Sequence, residues 1–184
     1  NKAAIAKNGK KLQKLADENK VMLRFEASVA GGIPIINAIT TALLSNEIDG
    51  ILGIMNGTTN YILTQMTDCG KEYEAVLRDA QDKGFAERDP SGDVKGFDVA
   101  NKLSILISLI FGIGIKPEEI PTQGITDITK DDIDFATNFG YKIKLLAAAN
   151  MVDGAVECNV QPALVSEHHP LASVNNEFNA IFLK

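Results

Sequence analysis

The apolar positions of this chain divide it into segments of helical repeat and segments that read as strands. In residues 97–112, FDVANKLSILISLIFG, apolar side chains fall at Val99, Leu103, Leu106, Ile107 and Ile110, which predicts a helix. A helix this apolar is mostly buried. Lys2 to Asn19 repeats more weakly, with Ile5, Leu12 and Leu15 as its main apolar positions and Asn8-Gly9 weakening its middle. Pro34 to Leu44 predicts a helix opened by its proline, and Tyr73 to Lys83 an exposed one stopped by Gly84. Another begins at Thr129 or Lys130 and runs to Phe139, before Gly140. Strands are predicted at Val21–Val29, Ile48–Met55, Tyr141–Met151 and Ala155–Val165, with Asp153-Gly154 as a hairpin turn between the last two. Thr122 to Asp127 is a short extended piece, and the residues from Ile181 to Lys184 read as a strand. The fold class is α+β: a mixed β-sheet with helices packed mainly on one face.

The candidate chemistry lies in Gly84 to Lys102, GFAERDPSGDVKGFDVANK. Its first half is expected to be irregular, because Asp89-Pro90 and Ser91-Gly92 are turn dipeptides and the proline holds Asp89 extended. Four carboxylates stand there, at Glu87, Asp89, Asp93 and Asp98. Asp98 and Lys102 are one helical turn apart on one face of a buried helix, so they are expected to look into a cleft. The plainer reading is a surface ion pair worth roughly 0.2–0.5 kcal/mol. A calcium loop fits poorly, since Val94 stands where the EF-hand pattern needs glycine.

Two other segments carry candidate sites. Glu26 lies among apolar residues and is therefore either paired or a ligand. The Ala30-Gly31-Gly32-Ile33-Pro34 turn follows it. Asn56 to Leu63 carries the chain from strand to helix, where free backbone N–H groups can bind an anion. Plain N-capping by Asn56, Thr58 or Thr59 is the alternative. His168 and His169 read as surface residues, because adjacent histidines do not readily share one metal.

Composition narrows the classes. With 184 residues, 45% hydrophobic and 23% charged, the chain can bury one good core. A net charge of −6 and the absence of a basic cluster argue against a nucleic-acid partner. The longest apolar run, Leu103 to Ile115, is too short to span a membrane. Cys69 and Cys158 have no metal or redox spacing and suit a reduced, cytoplasmic compartment.

Glu87-Arg88-Asp89-Pro90, followed by Gly96-Phe97-Asp98-Val99-Ala100-Asn101-Lys102, closely resembles the active-site segment of homoserine dehydrogenases. In that family a Glu-x-Asp-Pro loop leads into a Gly-x-Asp-x-x-x-Lys helix. Asn56 to Leu63 is similar to a second signature of the family, and Glu26 to Pro34 to its Glu-Ala-x-Val-x-x-Gly-x-Pro segment. The resemblance runs from Asn1 to Leu183. It implies NAD(P)-dependent interconversion of L-homoserine and L-aspartate 4-semialdehyde, in threonine, methionine and isoleucine synthesis. It also implies a cytoplasmic homodimer that pairs through its sheets.

The resemblance assigns roles residue by residue. Lys102 would be the catalytic acid or base and Asp98 its orienting partner. Lys2, matching an Asn-Lys pair beside the nicotinamide, would be a second cation and a cofactor contact. Glu87, Asp93 and Asp98 would receive the substrate's ammonium, and Gly57 and Thr58 its carboxylate. Glu26, Val29, Gly31 and Ile33 would hold a sodium ion.

The sequence has no Gly-x-Gly-x-x-Gly after a leading strand, and it lacks the glycine-rich segment that completes the family's cofactor site. Both ends read as cut. Residues 1–20 are therefore expected to be a helix leading from an absent nucleotide-binding domain, with Lys2 displaced or disordered. Residues 21–184 are expected to form the catalytic, substrate-binding and dimerisation domain, inactive by itself. Two alternatives are a substrate-binding and dimerisation module alone, and an unrelated α+β binding domain.

Overall fold

Asp153 and Gly154 both adopt left-handed backbone angles, φ 48° and 81°, as a two-residue hairpin turn requires. The computed structural model describes residues 1–184. In it, this turn joins β2 (Tyr141–Val152) to β3 (Ala155–Ser166) in register from Val152↔Ala155 to Tyr141↔Ser166. On the other side of β2, β1 (Gly50–Ile54) pairs Gly50 with Asn150 and Gly53 with Ala147. The last strand, β4 (Ala180–Leu183), pairs with β1, giving the order β3-β2-β1-β4.

The α+β class stands, but every ladder is antiparallel rather than mixed. The one parallel pairing is the isolated bridge between Thr122 and Val160. The helices between β1 and β2 return the chain to the end of the sheet that β1 leaves. Hydrophobic alternation does not encode that direction.

The helices are α1 (Lys2–Glu18), α2 (Ile35–Asn37), α3 (Gly57–Cys69), α4 (Tyr73–Asp82), α5 (Ser91–Val94), α6 (Phe97–Phe111) and α7 (Lys130–Asn138). α3, α6 and α7 lie against one face of the sheet, and α1, α4 and α5 pack on α6 or α3. Ile51, Ile143, Leu145, Ala147 and Val160 meet Leu63, Met66, Val76, Leu103, Leu106 and Ile133 in one continuous core. The other face carries a smaller cluster of Ile54, Leu146 and Val165, capped by Leu171 and Ala172 of a short 3-10 turn.

Three segments depart from expectation. Val21 to Val29 is not a strand: residues 21–25 have no ladder partner, and Glu26–Ser28 forms a 3-10 turn. Its apolar run is not a buried one, since Val21 and Met22 are 60% and 80% exposed. The predicted Pro34 helix survives only as α2, and Ala38–Ala42 continues it in wider π geometry. The loop expected to be irregular contains α5. The Pro90 carbonyl accepts from the Asp93 and Val94 amides at 2.9 Å each, because proline is compatible with the start of a helix. No helix is long and apolar enough to cross a membrane.

Candidate active site

The site forms where β1 runs into α3 and α6 passes beside them. Asn56 caps α3, its Oδ1 accepting from the Thr59 amide at 2.9 Å. That leaves its Nδ2 free to point outward. It donates to Asp93 Oδ1 at 2.7 Å and to Asp98 Oδ2 at 3.0 Å. One amide thus gathers a carboxylate from α5 and another from α6.

Asp98 is the hub. Lys102 Nζ lies 2.6 Å from its Oδ2 and also donates to the Met55 carbonyl at 2.6 Å. The Lys2 ammonium pairs with its Oδ1. α1 brings Lys2 to the site. Burial would raise the Asp98 carboxyl's pKa, but Lys102, Lys2 and Asn56 outweigh that and hold it below its ordinary value. The Asp98 and Lys102 side chains are only 6% and 13% exposed, so the surface-pair reading does not apply. Two of the three Lys102 N–H donors are engaged, and the third can serve a ligand.

The first turn of α3 supplies the opposite polarity. The Gly57 and Thr58 amides donate to nothing within the protein, while the Thr59 amide is used by its cap. Two N–H groups at a helix's positive end can receive a carboxylate. The Thr58 hydroxyl donates to the Phe85 carbonyl at 2.7 Å and lies 3.3 Å from Asp93 Oδ2.

The structure thus brings together Lys2, Lys102, Asp98, Asp93, Gly57 and Thr58. It does not draw Glu87 into this network. Glu87 is exposed, and the only hydrogen bond it takes part in is at its backbone carbonyl, which accepts from Gln81 Nε2 at 3.1 Å. The sequence reading missed Asn56 as the organiser and saw only a cap. The signal was there: a capping asparagine uses its carbonyl and leaves two N–H donors to place.

At the candidate cation site, both Glu26 carboxylate oxygens accept backbone N–H groups, from Ile36 at 2.9 Å and Asn37 at 2.8 Å. Glu26 therefore caps α2. The Val29 and Gly31 carbonyls accept no hydrogen bond from the protein, whereas the Ile33 carbonyl accepts from Ile35. His169 Nδ1 accepts from the Leu171 amide at 3.1 Å, a structural role.

The family model for homoserine dehydrogenase matches residues 34–184. Among relatives, the homoserine dehydrogenase of Bacillus subtilis (strain 168) is 46% identical over 183 residues, covering 100% of this chain and 42% of that protein. The crystal structure of a homoserine dehydrogenase from Thiobacillus denitrificans superposes with a TM-score of 0.96 at 42% identity, over 100% of this chain and 43% of that one. The S. aureus enzyme at pH 7.5 gives a TM-score of 0.85 at 41% identity, over 97% and 43%. This chain spans about four-tenths of the length of these relatives. On its sequence, its fold and the family match across most of its length, the chain belongs to the homoserine dehydrogenase family.

Proposed function

We propose that this chain is the catalytic half of an NAD(P)-dependent homoserine dehydrogenase, which interconverts L-homoserine and L-aspartate 4-semialdehyde. The observation that carries the reading is Asp98 held between Lys2 and Lys102, beside two unengaged amides at the start of α3. The substrate needs an acid or base at its oxygen, carboxylates for its ammonium and N–H donors for its carboxylate. All three kinds of group meet here.

In the reductive direction, Lys102 donates a proton to the oxygen as it becomes an alkoxide, and in the oxidative direction it takes that proton back. Asp98 keeps the Lys102 ammonium aimed. Asp93 and Asp98, with Glu87 on its exposed loop, take the substrate's α-ammonium. Gly57 and Thr58 take the α-carboxylate. Lys2 adds positive charge where negative charge develops on oxygen.

The sequence lacks the dinucleotide fingerprint, and the cofactor contact read on this chain is Lys2, toward the reacting end of NAD(P). When bound, NAD(P) would supply the hydride exchange with the substrate carbon. Residues 1–20 are read as the link from a nucleotide-binding domain and 21–184 as the catalytic and dimerisation domain. A sodium ion is read at Glu26, Val29, Gly31 and Ile33. The Val29 and Gly31 carbonyls are unengaged and suit a hard monovalent cation, while the Glu26 carboxylate also caps α2 and the Ile33 carbonyl also accepts from Ile35. Homodimerisation through the open face of the sheet is supported by Leu52, Ala148 and Ala163, part-exposed there beside a 46% exposed Phe182. A cytoplasmic location and a role in threonine, methionine and isoleucine synthesis complete the reading.

The test is NAD(P)H oxidation with aspartate semialdehyde, run on this chain alone and fused behind its parent's nucleotide domain. Activity in the fusion only is the expected result. A folded, cofactor-binding fusion without activity defeats the reading. If the chain alone is inactive but melts higher with homoserine, it is by itself a substrate-binding module.

A further inference from the structure

We propose that Lys144 is a positioning residue for the carboxylate end of the substrate: it clips residues 174–178 against the first turn of α3 and so sets Gly57 and Thr58. The proposal rests on the homoserine dehydrogenase reading above. Lys144 lies on β2 and is 2% exposed. Its ammonium donates to the Val174 carbonyl at 2.7 Å, to Asn60 Oδ1 at 3.1 Å and to Asn175 Oδ1 at 3.3 Å. Three donors meet three neutral acceptors and no carboxylate.

The same clip extends through α3. Asn60 Nδ2 donates to the Val174 and Phe178 carbonyls at 3.0 and 3.1 Å, which fixes the amide with its oxygen toward Lys144. The Asn176 amide donates to Thr64 Oγ1 at 3.0 Å. Residues 174–178 have no regular structure of their own, so these side chains hold them in place. The segment then crosses the start of α3 so closely that a Cβ on Gly57 would lie 2.8 Å from the Glu177 carbonyl oxygen. Gly57 therefore sits against a backbone that Lys144 and Asn60 fasten, and a shift in the clip moves the two amides that receive the carboxylate. A buried cation with no carboxylate in contact also adds positive potential behind that helix start.

The test uses the complete parent enzyme carrying Lys144→Met. The KM for homoserine is expected to rise about tenfold, as suits loss of charge-assisted hydrogen bonds, with kcat and the KM for NAD(P) within about twofold of wild type. A folded variant with unchanged homoserine KM, or with kcat and both KM values altered together, reduces Lys144 to a structural residue. If Lys144→Met does not fold, Asn175→Ala carries the same test. A selective rise in homoserine KM supports the proposal, and an unchanged KM overturns it. A wild-type parent that binds NAD(P) but leaves homoserine unoxidised overturns the functional reading and this proposal together. An active wild type with an unaffected variant overturns this proposal alone.

Discussion

Two lysines lie near α3, one buried and one largely shielded from solvent, and they are held in opposite ways. Lys102 faces the Asp98 carboxylate at 2.6 Å, within a cluster of two ammonium and two carboxylate groups. Lys144 faces three neutral oxygens. Under the proposed function Lys102 exchanges a proton with substrate, and its carboxylate partner is itself balanced by a second lysine. A clip needs only direction, and carbonyl dipoles supply it. The cost appears in the proton affinity: desolvation, with Lys142 adding to it and Asp68 only partly offsetting it, lowers the Lys144 pKa to about 8.

The largest effect is expected from removing the paired lysine. Lys102→Ala in the complete enzyme should lower kcat by about a thousandfold, in the range of lost acid–base catalysis, while circular dichroism stays that of the folded protein. Turnover at the wild-type level would take Lys102 out of the mechanism. It would also leave the charge-balanced cluster as a stability feature only.

The two lysines were unequally legible in the sequence. Asp98 and Lys102 announce themselves because four-residue spacing on an apolar helix forces two charges onto one buried-side turn. Lys144 gives no such sign. In YKIKLLAAAN it alternates with Ile143 and Leu145, which is how a solvent-facing strand residue reads. What buries it is residues 174–176, thirty positions away, and no local pattern carries that contact. The same limit explains Asn56, whose cap was visible but whose second set of partners comes from α5 and α6. It also explains Val21 to Val29, which has strand composition without a strand to pair with. The helices, the hairpin and the one-sided packing were legible because period and turn chemistry are local.

A second measurement separates the lysines by pH. Lys144 has a folded pKa near 8, below the ordinary lysine value of 10.5. Below about pH 8 both folded and unfolded states carry its proton, and the penalty of burying the charge is fully present. Between about 8 and 10.5 the unfolded state binds more protons, so stability should rise with pH by an amount of order 3 kcal/mol at most. Tyr73, whose pKa burial and then Glu74 push up to about 12, acts in the opposite sense only above pH 10. Cys158, whose thiol pKa burial raises, opposes this within the same range, so urea unfolding between pH 7.5 and about 10 should show wild type gaining stability relative to Lys144→Met as pH rises. A difference between wild type and Lys144→Met that stays constant over this range would mean that Lys144 keeps an ordinary affinity for its proton and is better compensated than its neighbours suggest.

The smallest effect should come from a pair with the same contact distance and spacing as the proposed catalytic one. Lys130 Nζ lies 2.6 Å from Asp134 Oδ2, the same distance and the same four-residue spacing as Lys102 and Asp98. Its side chains, however, are 37% and 51% exposed. Water screens the attraction, and holding two long side chains together costs rotamer entropy. The order of charges is also reversed: the lysine precedes the aspartate and sits at the first position of α7, where the helix dipole disfavours a cation. Lys130→Ala should thus leave the melting temperature within about a degree of wild type. A drop of several degrees would show that contact distance, rather than burial, sets the worth of an ion pair here. The case for Asp98 and Lys102 as a pair made strong by its surroundings would then have to be rebuilt on their geometry alone.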